Sequence, residues 1–515
     1  MTVLLSIIWF LIIISVIVVV HEFGHFIFAK IFKTRVEEFS IGFGPALFKI
    51  PGKETTFRFN IVPLGGYVRL AGEEVLEEGY EDTDPALFYN KKPFQKFLIA
   101  FAGPLFSFLL GYFLFVGIAG AYGFPEVMVE RVGRDSIALQ AGLEPGDIIK
   151  KANGDYVFNP SILELEIASG KPLELTVIRN GEEVNVTLNP ELTNERAIFT
   201  LQGIEDTEFL TLKNKEIVSL NGEEDLYIVM SRLESGDPIE IQLEDGTIIE
   251  GKLSQYSYFP PTYETGIVYA TFSNVIAEGG LPHGNSGSNA FQPGDKIIEI
   301  NGVDINNGSD LQNLIYRTQL NTGELMFAVS GKEIINEYKP FKDNTLEVLV
   351  ERNGQTININ LAKEEFLDFI VQPGVLEAPY ENWHPKGVEA LTVPIQWANN
   401  LISLTFRSFG QLFTGRMSAD QIAGPVGAAA IIGQAAMVGF DAILNLTALI
   451  TISLGVFNLI PIPGLDGGRI VFSIYEMITR KRVSPKVEAI VNTIGFLFLI
   501  FLMIFVTYND IMRFF

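Results

Sequence analysis

Apolar residues are spread unevenly along this 515-residue chain. Four stretches near its ends, residues 3–20, 97–119, 442–462 and 489–507, are almost unbrokenly apolar. Each is long enough for a helix to cross a hydrocarbon core of about 30 Å, which takes roughly 20 residues. Between the second and third, short apolar runs alternate with polar positions and are punctuated by Gly-Asp and Asn-Gly, the signature of strands and tight turns. The pattern predicts a multi-pass α-helical membrane protein of about four transmembrane helices, with a soluble β-rich insert. A fifth stretch, 388–413, has its apolar face interrupted by Asn399, Asn400, Arg407 and Gln411. It reads as an amphipathic helix at the membrane interface. Gly424-Pro425-Val426-Gly427 then breaks the chain before the third span.

The insert repeats itself. Gly142-Leu143-Glu144-Pro145-Gly146-Asp147 leads through a short strand into Asn153-Gly154. Phe291-Gln292-Pro293-Gly294-Asp295 leads in the same way into Asn301-Gly302. Each block is followed by a helical stretch and a strand pair around a second Asn-Gly, at Asn180-Gly181 and Asn353-Gly354. These blocks resemble the bacterial PDZ domain, a small β-sandwich with helices. A fainter copy lies between them: Ile217 to Leu220 run into Asn221-Gly222, and Ser235-Gly236-Asp237-Pro238 parallels Ser169-Gly170-Lys171-Pro172. It has no Gly-Leu-x-x-Gly-Asp start and reads as a degenerate unit. The expected segments are 1–122, a first membrane half; 123–190, 191–263 and 264–380, three PDZ-like units; 381–440, the interfacial helix and Gly-Pro-Val-Gly; and 441–515, a second membrane half. A PDZ-like unit either captures an extended peptide at a sheet edge or fills space above another site.

Charge sharpens this layout. The net charge is −24, and residues 121–385 alone hold 43 acidic against 18 basic side chains. An acidic soluble middle excludes nucleic acid, whose phosphates demand basic surface. Ten Lys and Arg residues lie between Lys30 and Lys96, and Arg469, Arg480, Lys481, Arg482 and Lys486 follow the third span. The positive-inside rule makes both loops cytoplasmic and places the insert and both termini outside. No basic segment precedes the first span and no small-residue cleavage site follows it, so it reads as a retained span rather than a leader. The chain has no cysteine, which removes disulfides and thiolate chemistry.

Candidate chemistry sits at the membrane ends. His21-Glu22-Phe23-Gly24-His25 closes the first span, and it uses two of the chain's four histidines. Positions i and i+4 share a helix face, so His21 and His25 can hold one metal, with Glu22 near enough to act on a water there. Two histidines at a helix end are otherwise unremarkable interfacial residues, but ionisable groups at membrane depth are costly and are retained for function. A catalytic zinc takes three protein ligands. Asp466 closes the third span on the side where the histidines close the first, so topology alone brings it level with them. A bare helix-cap role for Asp466 is the plainer alternative.

His-Glu-x-x-His on the first span, with Asn458-Leu459-Ile460-Pro461-Ile462-Pro463-Gly464-Leu465-Asp466-Gly467 after the third, resembles the site-2 protease family of intramembrane zinc metalloproteases. The insert is similar to the branch that includes the regulator of sigma-E protease. Gly42-Phe43-Gly44-Pro45, Pro63-Leu64-Gly65-Gly66-Tyr67-Val68 and Ala102-Gly103-Pro104 add to the likeness. The resemblance implies Zn2+ on His21, His25 and Asp466, Glu22 as general base, and Asn458 facing the substrate. It implies a membrane-associated β-loop offering an edge at Gly65, Gly66 and Tyr67. It further implies cleavage of single-span membrane proteins, such as anti-sigma factors or remnant signal peptides, in a bacterial cytoplasmic membrane, during regulated intramembrane proteolysis. The partners expected are therefore such substrates, the lipid bilayer and peptide ligands of the PDZ-like units. Two features depart from the family: Ser107 stands where relatives carry Asn and is assigned no contact, and the insert holds three units where two are usual. An idle scaffold would have lost a ligand or Glu22, and none is lost. A zinc transporter would spread ionisable residues along several spans, and here they gather at one level.

Overall fold

The structure, a computed structural model, describes residues 2–73, 83–133, 136–194, 196–202, 215–224, 226, 229, 232–234, 236–259, 261–270, 272–277, 290–319, 324–330, 333–338, 344–372, 375–378, 382–413 and 424–514. It divides into two compact units, Met1–Phe124 with Trp383–Phe515, and Pro125–Asn382.

The first unit opens with helix α1, Thr2–Ile31, followed by strands β1, Val36–Pro51, and β2, Thr56–Leu70. Both strands bend, so two strands build a curled sheet of four segments. Residues 36–41 pair with 66–70 on one side (Val36 opposite Leu70, Ile41 opposite Gly66) and with 56–59 on the other. Residues 46–51 pair with 56–60. Segment 66–70 is thus an edge. Glu38 ties the layers together, accepting from Tyr67 Oη at 2.9 Å and meeting Arg58 Nη1 at 2.9 Å and Arg69 Nη2 at 3.1 Å. Burial alone would raise its carboxyl pKa, but the Tyr67 hydroxyl and the two guanidiniums outweigh it and hold Glu38 below the usual carboxylate range. Phe43, Leu47, Phe48, Ile50 and Ile61 stay exposed on the sheet. Helix α2, Pro93–Ala121, then packs along α1.

The second unit holds three apolar cores. The first sheet contains β3 (Val127–Val132), β4 (Ile148–Ala152) with the short β5 (Asp155–Tyr156), β6 (Leu173–Arg179) and β7 (Glu182–Leu188). Helices α3 (Ile137–Gln140) and α4 (Pro160–Ile167) lie between these strands in the chain. Next come β8 (Glu191–Leu192), β9 (Arg196–Gln202), β10 (Ile217–Leu220), β11 (Pro238–Leu243), β12 (Ile248–Phe259), β13 (Tyr263–Glu264) and β14 (Ile267–Tyr269). The last block has β15 (Lys296–Ile300), β16 (Val303–Asp304), α5 (Gly308–Gln319), β17 (Glu324–Ser330), β18 (Glu333–Tyr338), β19 (Thr345–Arg352), β20 (Gln355–Ala362) and α6 (Lys363–Ile370).

The same antiparallel meander occurs three times, as β4-β6-β7, β10-β11-β12 and β15-β19-β20. One turn marks all three. Asn153, Asn221 and Asn301 hold φ of 50°, 49° and 48°, each before a glycine that is also left-handed. Their side-chain oxygens accept the backbone N–H groups of Glu174, Glu240 and Glu347 at 3.1, 2.7 and 2.7 Å. Asparagine tolerates this backbone region and bonds locally, which is why Asn-Gly recurs there.

Strand pairing crosses the chain-order segments 191–263 and 264–380. Strand β14 falls in the latter stretch yet extends the first sheet beside β3, and the hairpin β17-β18 joins the middle sheet through β9. Pairing is non-local, and no composition shift marks these strands as belonging to a distant sheet.

The chain re-enters the first unit at a two-residue clasp. Phe124 and Trp383 exchange backbone hydrogen bonds, both 2.8 Å, and Phe124 sits edge-on to Trp397. Helix α7, Glu389–Phe413, carries Trp397, stacked on Phe115, and Asn399, which accepts from Tyr112 Oη at 2.7 Å. Then come α8 (Pro425–Val438), α9 (Phe440–Leu459), α10 (Asp466–Thr479) and α11 (Pro485–Phe514). The Gly424 and Gly427 N–H groups at the start of α8 donate to the Asp510 carboxylate at 3.1 and 2.8 Å. Among the described residues, four helices are long and apolar enough to cross a membrane: Ser6–Ile31, Pro93–Ala121, Phe440–Leu459 and Val487–Met512. Helix α7 is not among them.

The shared turn yields a test. Replacing Asn153, Asn221 or Asn301 by Ala removes a local hydrogen bond and strains a left-handed residue, so each should cost about 1–3 kcal/mol. Hydrogen exchange on the full-length protein should show the lost protection concentrated in the substituted meander; equal loss over all three would contradict a local role for the turn.

Candidate metal centre

His21 and His25 lie one turn apart in the C-terminal half of α1, both buried. Asp466 is the first residue of α10, also buried, where a carboxylate suits the positive end of the helix. The turn between α9 and α10 is tight. A Cβ on Gly467 would meet the Ile460 carbonyl, so only glycine lets the helix start this close to the preceding span. Helix α2 closes the other side. A Cβ on Gly103 would land on the imidazole nitrogens of His25 and His21, and a Cβ on Gly24 would strike the Ala102 carbonyl.

The three donors form a compact triangle. His21 Nε2 is 3.1 Å from Asp466 Oδ2, His25 Nε2 is 3.3 Å from the same oxygen, and the two Nε2 atoms are 3.3 Å apart. Ligands held tetrahedrally at about 2.05 Å from zinc stand about 3.3 Å from one another, so the triangle has the dimensions of one face of a zinc tetrahedron. The opposite ring nitrogens are also fixed. His25 Nδ1 lies 2.8 Å from the Ile99 carbonyl, and His21 Nδ1 lies 2.9 Å from Ser107 Oγ. Protons on both Nδ1 atoms satisfy these partners and leave both Nε2 atoms as bare donors, the tautomer a metal requires. The residues present fit a zinc ion.

The triangle faces a cavity of about 270 Å³ lined by Glu22, Asn458, Tyr67, Val68 and Arg469 among others. Glu22 makes no hydrogen bond or ion pair among the described residues. The Asn458 side chain, at the end of α9, likewise has none. Tyr67 and Val68 bring the edge segment of β2 to the cavity wall. Gly65 and Gly66 do not line it; Gly66 instead passes close to Val18 of α1, and Gly65 lies under the Phe43 ring.

Sequence reasoning left Ser107 without a contact, yet it is fully buried beneath His21. The usable signal was spacing: Gly103 and Ser107 are i and i+4 on α2, one making room for the imidazoles and the other bonding one of them. Arg469 was counted only as a topological charge. It lies one turn beyond Asp466 and pairs with Glu73 at 2.5 Å, tying α10 to the loop after β2. Nothing local in the sequence joins those two residues.

The profile of Peptidase family M50 matches residues 9–502. A Thermotoga maritima relative, whose name is that of a zinc metalloprotease, is 37% identical over 98% of this chain and 99% of its own length. Zinc metalloprotease RasP of Shouchella clausii and the Regulator of sigma E protease of Haemophilus influenzae are each 28% identical, over 98% of both chains. Among solved structures, a PDZ domain protein from Parabacteroides distasonis covers 47% of the chain at 11% identity with a TM-score of 0.12, a likeness too loose to bear on the insert.

Two substitutions separate ligand from support. Ser107→Ala should weaken zinc affinity about 10–100-fold by freeing the His21 ring. Gly103→Ala should displace both imidazoles and lower zinc content in the purified protein. Metal analysis against a chelator series measures both, and unchanged affinity in each would detach α2 from the metal site.

Proposed function

This chain belongs to peptidase family M50, and from that premise we propose that it hydrolyses peptide bonds of single-span membrane proteins at the level of the bilayer, as a zinc-dependent endopeptidase. That it is a metalloprotease follows from the family and its relatives. The observation that carries the mechanistic reading is the donor triangle of His21, His25 and Asp466 beside an unpartnered Glu22 carboxylate in one cavity.

A zinc ion held by His21 Nε2, His25 Nε2 and Asp466 Oδ2 would supply Lewis acidity toward a peptide carbonyl. Glu22 acts as general base, taking the proton of the attacking water and returning it to the leaving nitrogen. Asn458 offers the substrate backbone an amide that has no other partner among the described residues. The edge segment 66–70 pairs with 36–41 on one side only. An unwound substrate adds to its free edge as a further strand, which presents a peptide bond that a helix would shield. Tyr67 holds that edge through its hydroxyl bond to Glu38. Single-span substrates already trimmed outside, of the anti-sigma factor or remnant signal peptide class, fit this reading.

The acidic insert, on the outer side in this reading, acts as a filter. It holds the whole of the chain's net negative charge and none of the proposed catalytic groups. It repels bulky or acidic external domains over a Debye length of about 8 Å at physiological salt, while a trimmed stub passes.

Glu22→Gln should lower turnover by at least about 10³-fold while zinc stays near about one per chain, because Glu22 moves protons and does not bind the metal. Zinc lost together with activity would make Glu22 a ligand or a support. Residues 125–382 can be replaced by a short linker, since Phe124 and Trp383 already touch. The shortened enzyme should cleave substrates with long and short external domains at more nearly equal rates than the full chain; an unchanged ratio would remove the filter.

A further inference from the structure

Helix α10 is turned inside out. Its polar residues Asp466, Ser473 and Glu476 are buried, and Arg469 faces inward to Glu73. Its apolar residues Val471, Ile474, Tyr475 and Ile478 are 46%, 39%, 47% and 76% exposed. The two sets follow helical spacing on opposite faces. Glu476 is fixed from within: Lys96 Nζ contacts its two carboxylate oxygens at 3.2 and 3.0 Å, and the Val483 N–H donates to it at 3.1 Å. Such a face is costly in water and is complementary to acyl chains. With 14 residues it is about 21 Å long, too short to span the core. Its outer apolar face runs from Val471 to Ile478, toward the C-terminal end.

That end is basic. Arg480, Lys481 and Arg482 follow α10 directly and are exposed. The Arg482 guanidinium lies 5.4 Å from the Tyr89 ring centroid, and Nη1 is 3.3 Å from Asn90 Oδ1. These contacts bring the basic turn to the segment Tyr89–Asn90, two residues before exposed Lys92 in the chain. The one nearby carboxylate on α10, Glu476, is neutralised by Lys96 and leaves the cations without an internal counter-charge on that helix. Apolar surface running into exposed cations that no carboxylate of that helix neutralises is complementary to a lipid with acyl chains and a negative headgroup.

We propose that Arg480, Lys481 and Arg482, with Lys92, form a binding site for anionic phospholipid, whose acyl chains cover the outer face of α10. The site lies at the far end of the helix that begins with Asp466 and is separate from the metal centre. It requires the chain to sit in a membrane and does not require it to be an active peptidase.

The test is lipid retention by the delipidated full-length protein in detergent, read by native mass spectrometry. Phosphatidylglycerol and phosphatidylcholine are offered as an equimolar mixture. The unaltered protein should retain phosphatidylglycerol preferentially, and added salt should reduce the preference. Each basic residue at such a surface contributes about fivefold. The triple variant R480Q/K481Q/R482Q should therefore lose on the order of a hundredfold in phosphatidylglycerol affinity, with zinc content unchanged. R480Q/K481Q, which keeps the Arg482 contacts to Tyr89 and Asn90, should lose on the order of twenty-fivefold. Charge removed elsewhere, as K49Q/K53Q on the curled sheet, should change nothing. No preference in the unaltered protein, or equal retention by the zinc-loaded variants, would overturn the proposal. Cleavage is not measured, so a lost catalytic reading and a lost lipid site give different results.

Discussion

The structure depends on one close approach: two imidazole nitrogens and one carboxylate oxygen, from helices 445 residues apart, brought within 3.1–3.3 Å and buried. Ionisable groups in such a place are costly unless they share partners or a metal. Their helices must also come nearer than ordinary side chains permit. Gly24 and Gly103 let α1 and α2 touch, and Gly467 lets α10 start against the end of α9. Glycine is ordinarily poor in helices, so its presence at these contacts marks where backbone proximity outweighs propensity.

Around that centre, the first unit uses polar contacts sparingly, each to orient an element. Ser107 and the Ile99 carbonyl turn the imidazoles. Glu38 holds the edge segment of β2 through Tyr67, Arg58 and Arg69. Lys96 and Arg469 hold α10 through Glu476 and Glu73. Buried pairs of this kind add little net stability compared with apolar packing, but they oppose any rotation of the helix that presents Asp466. An outward apolar face and an inward charged face on α10 make sense only with lipid on one side and a polar cavity on the other.

The second unit is built on a different principle, repetition. Three meanders share one Asn-Gly turn with one side-chain bond, while two elements, β14 and the hairpin β17-β18, are lent to neighbouring sheets. Shared strands join the copies through backbone hydrogen bonds rather than through linkers alone. The Phe124–Trp383 clasp keeps the two ends of this insertion together, so a long excursion of the chain leaves the membrane unit continuous.

The sequence alone determined the four apolar helices, the β-rich insert and its repeated turn, because span length and Asn-Gly chemistry are local properties. It also singled out His21, Glu22, His25 and Asp466, since metal ligation demands particular residue types and helix spacing sets which can act together. It did not determine that Ser107 supports His21, that Arg469 meets Glu73, or that β14 and β17 pair with distant sheets. Nor did it separate Tyr67, at the cavity wall, from its neighbours Gly65 and Gly66, which are not. Those outcomes rest on which helix face packs inward and which strand edges meet. Both are decided by contacts between residues far apart in the chain, and a local pattern carries no record of its eventual neighbour.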